Sequence, residues 1–259
     1  MNQNRHKLIL FTRYPVPGKA KTRLIPELGK DGAARLQETM TGLAVLRARC
    51  FAPGAATDIE IRFAGTAPAE MRQWLGPEID YVHQGKGDLG QRMNRAFEAA
   101  FRSGYERIVL IGCDCPQIDE KCFEHAFKAL HTSDLVIGPA RDGGYYLIGL
   151  RRPAQELFTD IDWGTETVLR RTMDRADEIH LSVSHLDLLT DIDYPRDLSL
   201  CREMGFLKDR SQSISVIIAA LNEEAHIQKT LSSALPGAHE VIVADGGSRD
   251  HTAARAKEA

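Results

Sequence analysis

The chain has 259 residues, of which 43% are hydrophobic and 27% are charged, and its formal net charge is −3. This composition is typical of a globular protein and speaks against nucleic-acid binding, and the sequence shows neither the roughly 20-residue apolar run of a transmembrane helix nor a signal peptide. The five cysteines are irregularly spaced, which is typical of a reduced protein, so we expect a cytoplasmic location.

Strand-like and helix-like segments alternate through the first part of the chain. Apolar positions recur at helical spacing over 36–44, 89–101, 122–130, 165–176 and 196–204. Short apolar runs predict strands at 7–11, 59–64, 79–83, 107–112, 135–138, 145–150 and 179–186. This alternation predicts an α/β domain of three layers, α/β/α, in which helices cover both faces of a mainly parallel mixed sheet.

The pattern restarts near the end of the chain. Residues 208–213 are polar and linker-like, and a strand, a helix and a second strand follow over 214–244. We therefore predict a first domain over 1–207, a linker over 208–213 and an incomplete βαβ unit over 214–259. A unit of this size seldom stands alone, so we expect its apolar face to pack against the first domain or against a partner chain of an oligomer.

The segment from Arg107 to Pro116 is the most informative stretch of the chain. A branched apolar run ends in Gly112, and Asp114 and Pro116 follow it. Ligands of open α/β sheets bind beyond the carboxyl ends of the strands, and a carboxylate there suits a divalent cation held against phosphate. A turn or a helix N-cap is the alternative interpretation. We take Asp114 as a candidate catalytic and metal-binding residue.

A basic loop lies between the first strand and the first helix. It carries four cations and a glycine that permits close backbone approach, although its spacing is not that of a P-loop. Helix N-termini and basic side chains attract anions, so the loop predicts a phosphate site, with a solvated basic loop as the alternative. The candidate phosphate-binding residues are Arg13, Gly18, Lys19, Lys21 and Arg23.

The motif Asp142-Gly143-Gly144-Tyr145 precedes the sixth predicted strand. Its paired glycines leave room for a ligand, and Tyr145 offers a ring and a hydroxyl. A simple turn between two strands explains the motif equally well. We take Asp142 as a second catalytic candidate, and Gly143, Gly144 and Tyr145 as nucleotide-binding candidates.

Two further carboxylates, Asp191 and Asp193, follow the last strand of the first domain. A carboxylate facing Asp114 would complete an octahedral Mg²⁺ or Mn²⁺ site together with phosphate oxygens and waters. We choose Asp193 as this metal ligand, and the alternative is that it caps the helix that begins at Pro195.

Two weaker motifs remain. The glycine-rich turn 84–92 leads into a helix, and we expect its Gly85 and Gly90 to meet the nucleotide base or sugar. The segment 163–167 starts a helix and is either an acceptor contact or an N-cap with a packed tryptophan.

Taken together, the motifs at 19–23, 112–116, 142–145 and 191–195 resemble a bacterial family of predicted glycosyltransferases with the nucleotide-diphospho-sugar transferase (GT-A-like) fold. The resemblance covers residues 5 to 207, and some members of that family are associated with arsenosugar biosynthesis. It implies a nucleotide held over the sheet and a metal-binding role for Asp114, although Cys113-Asp114-Cys115 departs from the usual Asp-x-Asp. The strand end is also similar to small nucleotidyltransferases of the molybdenum-cofactor guanylyltransferase and phospholactate guanylyltransferase types.

The segments 215–224 and 241–250 resemble the opening of a family 2 glycosyltransferase. That resemblance implies that Asn222, Glu223 and Asp245 contact the nucleoside of a donor. We expect the Asp-x-Asp, the acceptor region and the catalytic base of that family to lie beyond Ala259, so that this unit derives from a fusion of two enzymes and does not catalyse transfer alone.

Three functions follow from these observations. The first is a glycosyltransferase that uses a nucleotide-diphospho-sugar donor, a small-molecule or glycan acceptor and Mg²⁺ or Mn²⁺, and the family 2 segment favours it. The second is a nucleotidyltransferase that joins an NTP to a phosphorylated small molecule and releases pyrophosphate, and the basic loop favours it. The third is a non-catalytic nucleotide-binding scaffold. We expect the first.

Overall fold

The computed structural model describes residues 6–207, 215–234 and 240–258. The chain divides into two compact units, Met1–Phe206 and Leu207–Ala259. The predicted linker, 208–213, lies outside the described residues.

The first unit is built on a seven-stranded sheet of order β3-β2-β1-β4-β6-β5-β7. Strand β6 is antiparallel to its neighbours β4 and β5, and the other pairs are parallel. The strands are β1 (His6–Arg13), β2 (Thr57–Ala64), β3 (Asp80–His83), β4 (Arg107–Gly112), β5 (Leu135–Pro139), β6 (Tyr145–Leu150) and β7 (Val183–His185). The helices are α1 (Ile25–Phe51), α2 (Pro68–Leu75), α3 (Leu89–Arg102), α4 (Glu120–Ala129), α5 (Val168–Glu178) and α6 (Leu198–Glu203). The predicted fold class, a mostly parallel mixed sheet with flanking helices, is confirmed.

Alternation along the strands divides the core into two layers. Leu8 and Leu10 of β1 face the layer that contains α1, α2 and α4, whereas Ile9 and Phe11 face the layer that contains α3 and α5. Side chains of a strand point alternately to its two faces, and because both faces of β1 are covered, its apolar run is continuous rather than alternating.

Three elements differ most from the prediction. Helix α2 was not predicted, because it is short and buries only Met71 and Leu75. Helix α5 begins at Val168 rather than at 165, since the Thr165 hydroxyl bonds the Asp162 carbonyl oxygen and holds a turn there. Strand β7, predicted over 179–186, spans only Val183–His185, because the Leu181 amide still donates to the Ala176 carbonyl oxygen of α5.

The second unit pairs two parallel strands, β8 (Ser215–Ala220) and β9 (Glu240–Asp245). It also contains helices α7 (Ile227–Ala234) and α8 (Thr252–Lys257). Its small core is formed by Ala220, Ile227 and Leu231. In the described part of the chain, no helix is both long enough and apolar enough to cross a membrane.

Candidate functional site

Lys21, in the loop that follows β1, binds two carboxylates, Asp114 after β4 and Asp193 after β7. Its Nζ atom lies 2.7 Å from Asp114 Oδ1 and 2.9 Å from Asp193 Oδ1, and it donates to the Ile192 carbonyl oxygen at 2.6 Å. Burial alone would lower the pKa of this ammonium, but the two carboxylates outweigh it and the pKa is raised. Lys21 is therefore charged, and it fixes both aspartates.

The basic loop divides its predicted phosphate-binding residues between different environments. The Lys21 side chain is only 5% exposed. Two cavities open beside this site, and Lys21 is not among the described residues that line them. Its charge is therefore neutralised by the two carboxylates. Arg13 and Arg23 line the first and second cavity respectively. Lys19 is exposed, and Gly18 provides the turn with φ at 79°.

Asp191 lies where the two cavities meet and lines both of them. Within the described residues its Oδ1 atom is buried without a hydrogen-bond partner. Burial, followed by the charges of Asp114 and Asp142, raises the pKa of Asp191 to about 7, against the opposing effect of Lys21. The backbone holds the residue in place, because the Ile192 amide donates to the Asp114 carbonyl oxygen at 2.9 Å.

The first cavity has a volume of about 320 Å³ and opens at the ends of β1 and β4. Its walls combine apolar side chains with amide and hydroxyl groups, among them Thr12, Gln37 and Gln84. The Gln84 amide donates to the carbonyl oxygens of Thr12 and Arg62, both at 3.1 Å, which ties β1 to β2. Asp114 contributes to the same wall, and its side chain is 47% exposed.

The second cavity has a volume of about 530 Å³ and is lined by three arginines, Arg23, Arg141 and Arg196. Two of their guanidinium groups lie over the Tyr194 ring, with the Cζ atoms of Arg23 and Arg196 at 4.8 and 4.9 Å from the ring centroid. Trp163 forms another part of the wall.

The donor atoms around Asp114 bear on the predicted metal site. The described residues contain no group of three His, Cys, Asp or Glu side chains placed to hold a metal ion. Asp193, predicted as a metal ligand, instead faces Lys21 and, at 3.6 Å, Arg23. Asp191 has the unpartnered oxygen. Mg²⁺ is commonly held by one or two carboxylates and substrate phosphates, and Asp114 with Asp191 fits that donor set.

The alternative role of Asp193 as a helix cap is wrong. Asp197 performs the capping, since its Oδ2 atom accepts from the amides of Asp193 at 3.0 Å and Tyr194 at 2.8 Å.

The Asp142 motif is a turn that borders the second cavity. Asp142 Oδ1 accepts from the Gly144 amide at 2.9 Å, as the turn interpretation expected, while Asp142 and Gly144 line the cavity. Gly143 has φ at 89°, and a Cβ atom there would lie 2.1 Å from the Glu166 carbonyl oxygen, so close packing requires this glycine. The Tyr145 hydroxyl is buried and its pKa is raised by burial, while the residue lines both cavities.

The other two predicted glycines, Gly85 and Gly90, have roles in backbone conformation and packing. Gly85 has φ at 83°. A Cβ atom on Gly90 would lie 2.5 Å from the Trp163 ring. Gly90 therefore lets α3 pack closely against Trp163, and neither glycine is among the residues that line the two cavities.

Sequence reasoning missed several cavity residues. Gln37 is buried on α1 and donates to the Thr41 hydroxyl at 3.1 Å. A glutamine beside the apolar positions Leu36 and Met40 was the available signal. Arg141 and Arg196 lie next to predicted motifs, but nothing in the sequence around them indicated that they belong to the site.

In the second unit, the three predicted donor-contacting residues lie at the carboxyl ends of its two strands. Asn222 donates to Ser248 Oγ and accepts from the Arg249 amide, both at 2.9 Å. The Glu223 amide donates to Thr252 Oγ1 at 2.7 Å, and Asp245 accepts from the Ser248 amide at 3.2 Å. All three side chains are exposed, and their contact with a nucleoside stays a prediction.

Comparison with known proteins identifies the family. Residues 48–165 match the family described as "Uncharacterized protein conserved in bacteria (DUF2064)", and residues 215–259 match "Glycosyl transferase family 2". A crystal structure from Desulfovibrio desulfuricans G20, named a "putative nucleotide-diphospho-sugar transferase", is 32% identical, with a TM-score of 0.72 over 81% of this chain and 91% of that one. The chain belongs to this nucleotide-diphospho-sugar transferase-like family. A search of the curated proteins gave no match.

More distant structures share the fold of this transferase-like unit. A 4-diphosphocytidyl-2C-methyl-D-erythritol synthase from Anaerococcus prevotii DSM 20548 is 12% identical, with a TM-score of 0.52 over 78% of this chain and 96% of that one. A CMP:2-keto-3-deoxy-manno-octonic acid synthetase complexed with CTP is 10% identical, with a TM-score of 0.50 over 78% and 98%. Such identities show the fold alone. The predicted nucleotide-diphospho-sugar transferase-like fold is confirmed, and the family supports a transferase.

Proposed function

We propose that the first unit is a glycosyltransferase that uses a nucleotide-diphospho-sugar donor. The observation that carries this proposal is the Asp114 carboxylate, which Lys21 fixes at 2.7 Å beside two adjoining cavities at the carboxyl ends of the parallel strands. Ligands of such sheets bind at these strand ends, and the related Desulfovibrio protein bears the name of a transferase of this type.

The first cavity suits the nucleoside of the donor. It pairs apolar walls with the polar groups of Thr12, Gln37 and Gln84, which is the usual chemistry of a small-molecule pocket. Arg13 lies at the same cavity, so its charge is placed for the diphosphate.

The transferred sugar would then lie near Asp191, where the cavities meet. In the reaction the acceptor's hydroxyl oxygen bonds to the sugar carbon and releases its proton, the bond from that carbon to the diphosphate oxygen breaks, and negative charge develops on the departing nucleoside diphosphate. Arg23 of the second cavity and the other cations of the basic loop would face this charge, and fixed cations at such a position lower the barrier.

Asp114 and Asp191 would hold the divalent cation, Mg²⁺ or Mn²⁺, with phosphate oxygens completing its coordination. When bound, the cation supplies further neutralisation of the leaving diphosphate. This assignment moves the second ligand from Asp193 to Asp191, because the unpaired oxygen belongs to Asp191.

A nucleotidyltransferase is the second candidate, and the shared fold of the CTP-bound synthetase favours it. The basic loop supports it less than its composition suggests, since Lys21 is neutralised by Asp114 and Asp193. Three cations of the loop then remain for a triphosphate.

The test is to incubate the full chain with UDP-, GDP- and ADP-sugars or with NTPs, with and without Mg²⁺ or Mn²⁺, and to quantify nucleoside diphosphate and pyrophosphate. The proposal expects metal-dependent release of nucleoside diphosphate from one nucleotide sugar, reduced at least about 100-fold in Asp114→Asn, the loss typical of removing one stabilising group. Asp174→Asn, on the exposed side of α5, is the matched control.

Melting curves would establish that both variants are folded. Pyrophosphate release from an NTP would replace the glycosyltransferase with the nucleotidyltransferase. Nucleotide binding without turnover, unchanged in Asp114→Asn, would favour the scaffold. The arsenosugar association and the cytoplasmic location stay predictions.

A further inference from the structure

The second cavity contains guanidinium groups that the described residues leave largely without partners. The nearest carboxylate contacts of Arg23 and Arg196 are long, at 3.6 Å to Asp193 and 3.7 Å to Asp197. For Arg141, the described residues provide no ion pair and no side-chain hydrogen bond, although its backbone amide is held at 3.0 Å by the Leu189 carbonyl oxygen. Free N–H groups in a concave site are available to a ligand.

Two of these groups are held in place by a shared ring. Arg23 and Arg196 both lie within 5 Å of the Tyr194 centroid, an arrangement that cation–π attraction stabilises. A planar guanidinium that is already oriented loses less freedom when it binds a carboxylate or phosphate, which it meets with two parallel hydrogen bonds.

The carboxylates of the same wall are partly committed elsewhere. Four carboxylates line this cavity. Asp193 is bound to Lys21 at 2.9 Å, and Asp142 accepts from the Gly144 amide. Glu166 and Asp191 form no ion pair with these arginines within the described residues, so the arginines are not paired one for one with the carboxylates around them. Trp163 adds an aromatic surface against which a carbon skeleton can pack.

We infer that the second cavity binds an acceptor bearing an anionic group, a phosphate or a carboxylate, which Arg141 and Arg196 hold. The inference rests on the proposed function, because it assigns the other cavity to the donor. It narrows the acceptor from any small molecule or glycan to an acidic small molecule whose hydroxyl reaches toward Asp191.

The experiment saturates the full chain with UDP, GDP or ADP in turn, titrates glycerol 3-phosphate, 3-phosphoglycerate and glycerol into it, and follows the heat of binding. We expect the two anions to bind and glycerol not to bind. Arg141→Gln and Arg196→Gln should each weaken the anions at least about 10-fold, the effect of losing a charge-assisted hydrogen bond. Arg170→Gln, an exposed arginine of α5 outside the cavity, should leave binding unchanged.

Several results would overturn the inference. One is binding of neither anion, and another is equal weakening by Arg170→Gln. Competition between the anions and the nucleoside diphosphate would assign these arginines to the donor phosphates and leave the proposed function standing. If no nucleotide binds at all, the proposed function fails, and the acceptor assignment fails with it.

Discussion

Replacing Asp191 with asparagine should stabilise the first unit at neutral pH. The ordinary pKa of an aspartate is about 3.9, whereas that of Asp191 is raised to about 7 by burial and by Asp114 and Asp142. Between these values the folded state keeps a proton that the unfolded state has lost, so the free energy of unfolding decreases as the pH rises. Three pKa units at 1.36 kcal/mol each make about 4 kcal/mol by pH 7 and above.

The asparagine removes this cost but leaves a buried amide with an unmet hydrogen bond, which costs about 1 kcal/mol. We therefore expect a net gain of about 2–3 kcal/mol at pH 8, or a rise in Tm of roughly 4–12 °C for a unit of this size. At pH 4 the gain should vanish or reverse, because this pH is close to the ordinary aspartate pKa of about 3.9 and almost none of the free-energy difference has yet developed.

Urea unfolding at pH 4 to 8 in a buffer with a metal chelator would measure this effect through tryptophan fluorescence, since a bound cation would itself lower the pKa of Asp191. Asp174→Asn should follow the wild type at every pH. A difference between wild type and Asp191→Asn that stays constant with pH, or a loss of stability at pH 8, would refute the reasoning.

Two other substitutions test how the site is held. Lys21→Met removes the cation between Asp114 and Asp193. Loss of one partner of a buried pair costs about 3–5 kcal/mol, and because solvent reaches these half-exposed carboxylates we expect the free energy of unfolding to fall by about 2 kcal/mol. In the same denaturation assay the control Lys19→Met should change it by no more than about 0.5 kcal/mol. Gly90→Ala places a Cβ atom 2.5 Å from Trp163 and should lower the free energy of unfolding by about 1–3 kcal/mol through overpacking. At Gly42 in α1 a Cβ atom meets nothing within 4 Å, so Gly42→Ala should raise the free energy of unfolding by up to about 1 kcal/mol. Equal melting temperatures of the two variants would contradict the packing argument.

The fold could be predicted largely because its core strands are buried on both faces. The apolar run of β4 and the helical stripe of α3 are local patterns that reflect burial directly. Helix α2 was not predicted because its two buried residues do not form a recognisable stripe of apolar positions at helical spacing. The end of α5 resembles a strand in sequence, since Ile179 and Leu181 are apolar for packing rather than for pairing.

The site could be predicted only to the level of its segments. The loop, Asp114 and the Asp191–Asp193 segment do come together, because parallel strands end at one edge. Which side chain faces which cannot be deduced from spacing. Lys21 resembles Lys19 as a loop cation, but its backbone is left-handed, with φ at 45°, and its ammonium binds carboxylates instead of facing the cavities.

The contacts of Lys21 also bear on the order in which the protein is built during synthesis. Its partners Ile192 and Asp193 lie 171 and 172 residues further along the chain. Domains form from the N-terminus as the ribosome releases them, and contacts between distant residues wait for the later partner to emerge. A nascent chain can therefore pair β1 with β2 and β4 while Lys21 has only Asp114 to bind. The edge of the sheet that carries the candidate site is completed last, when nearly the whole first unit has left the ribosome.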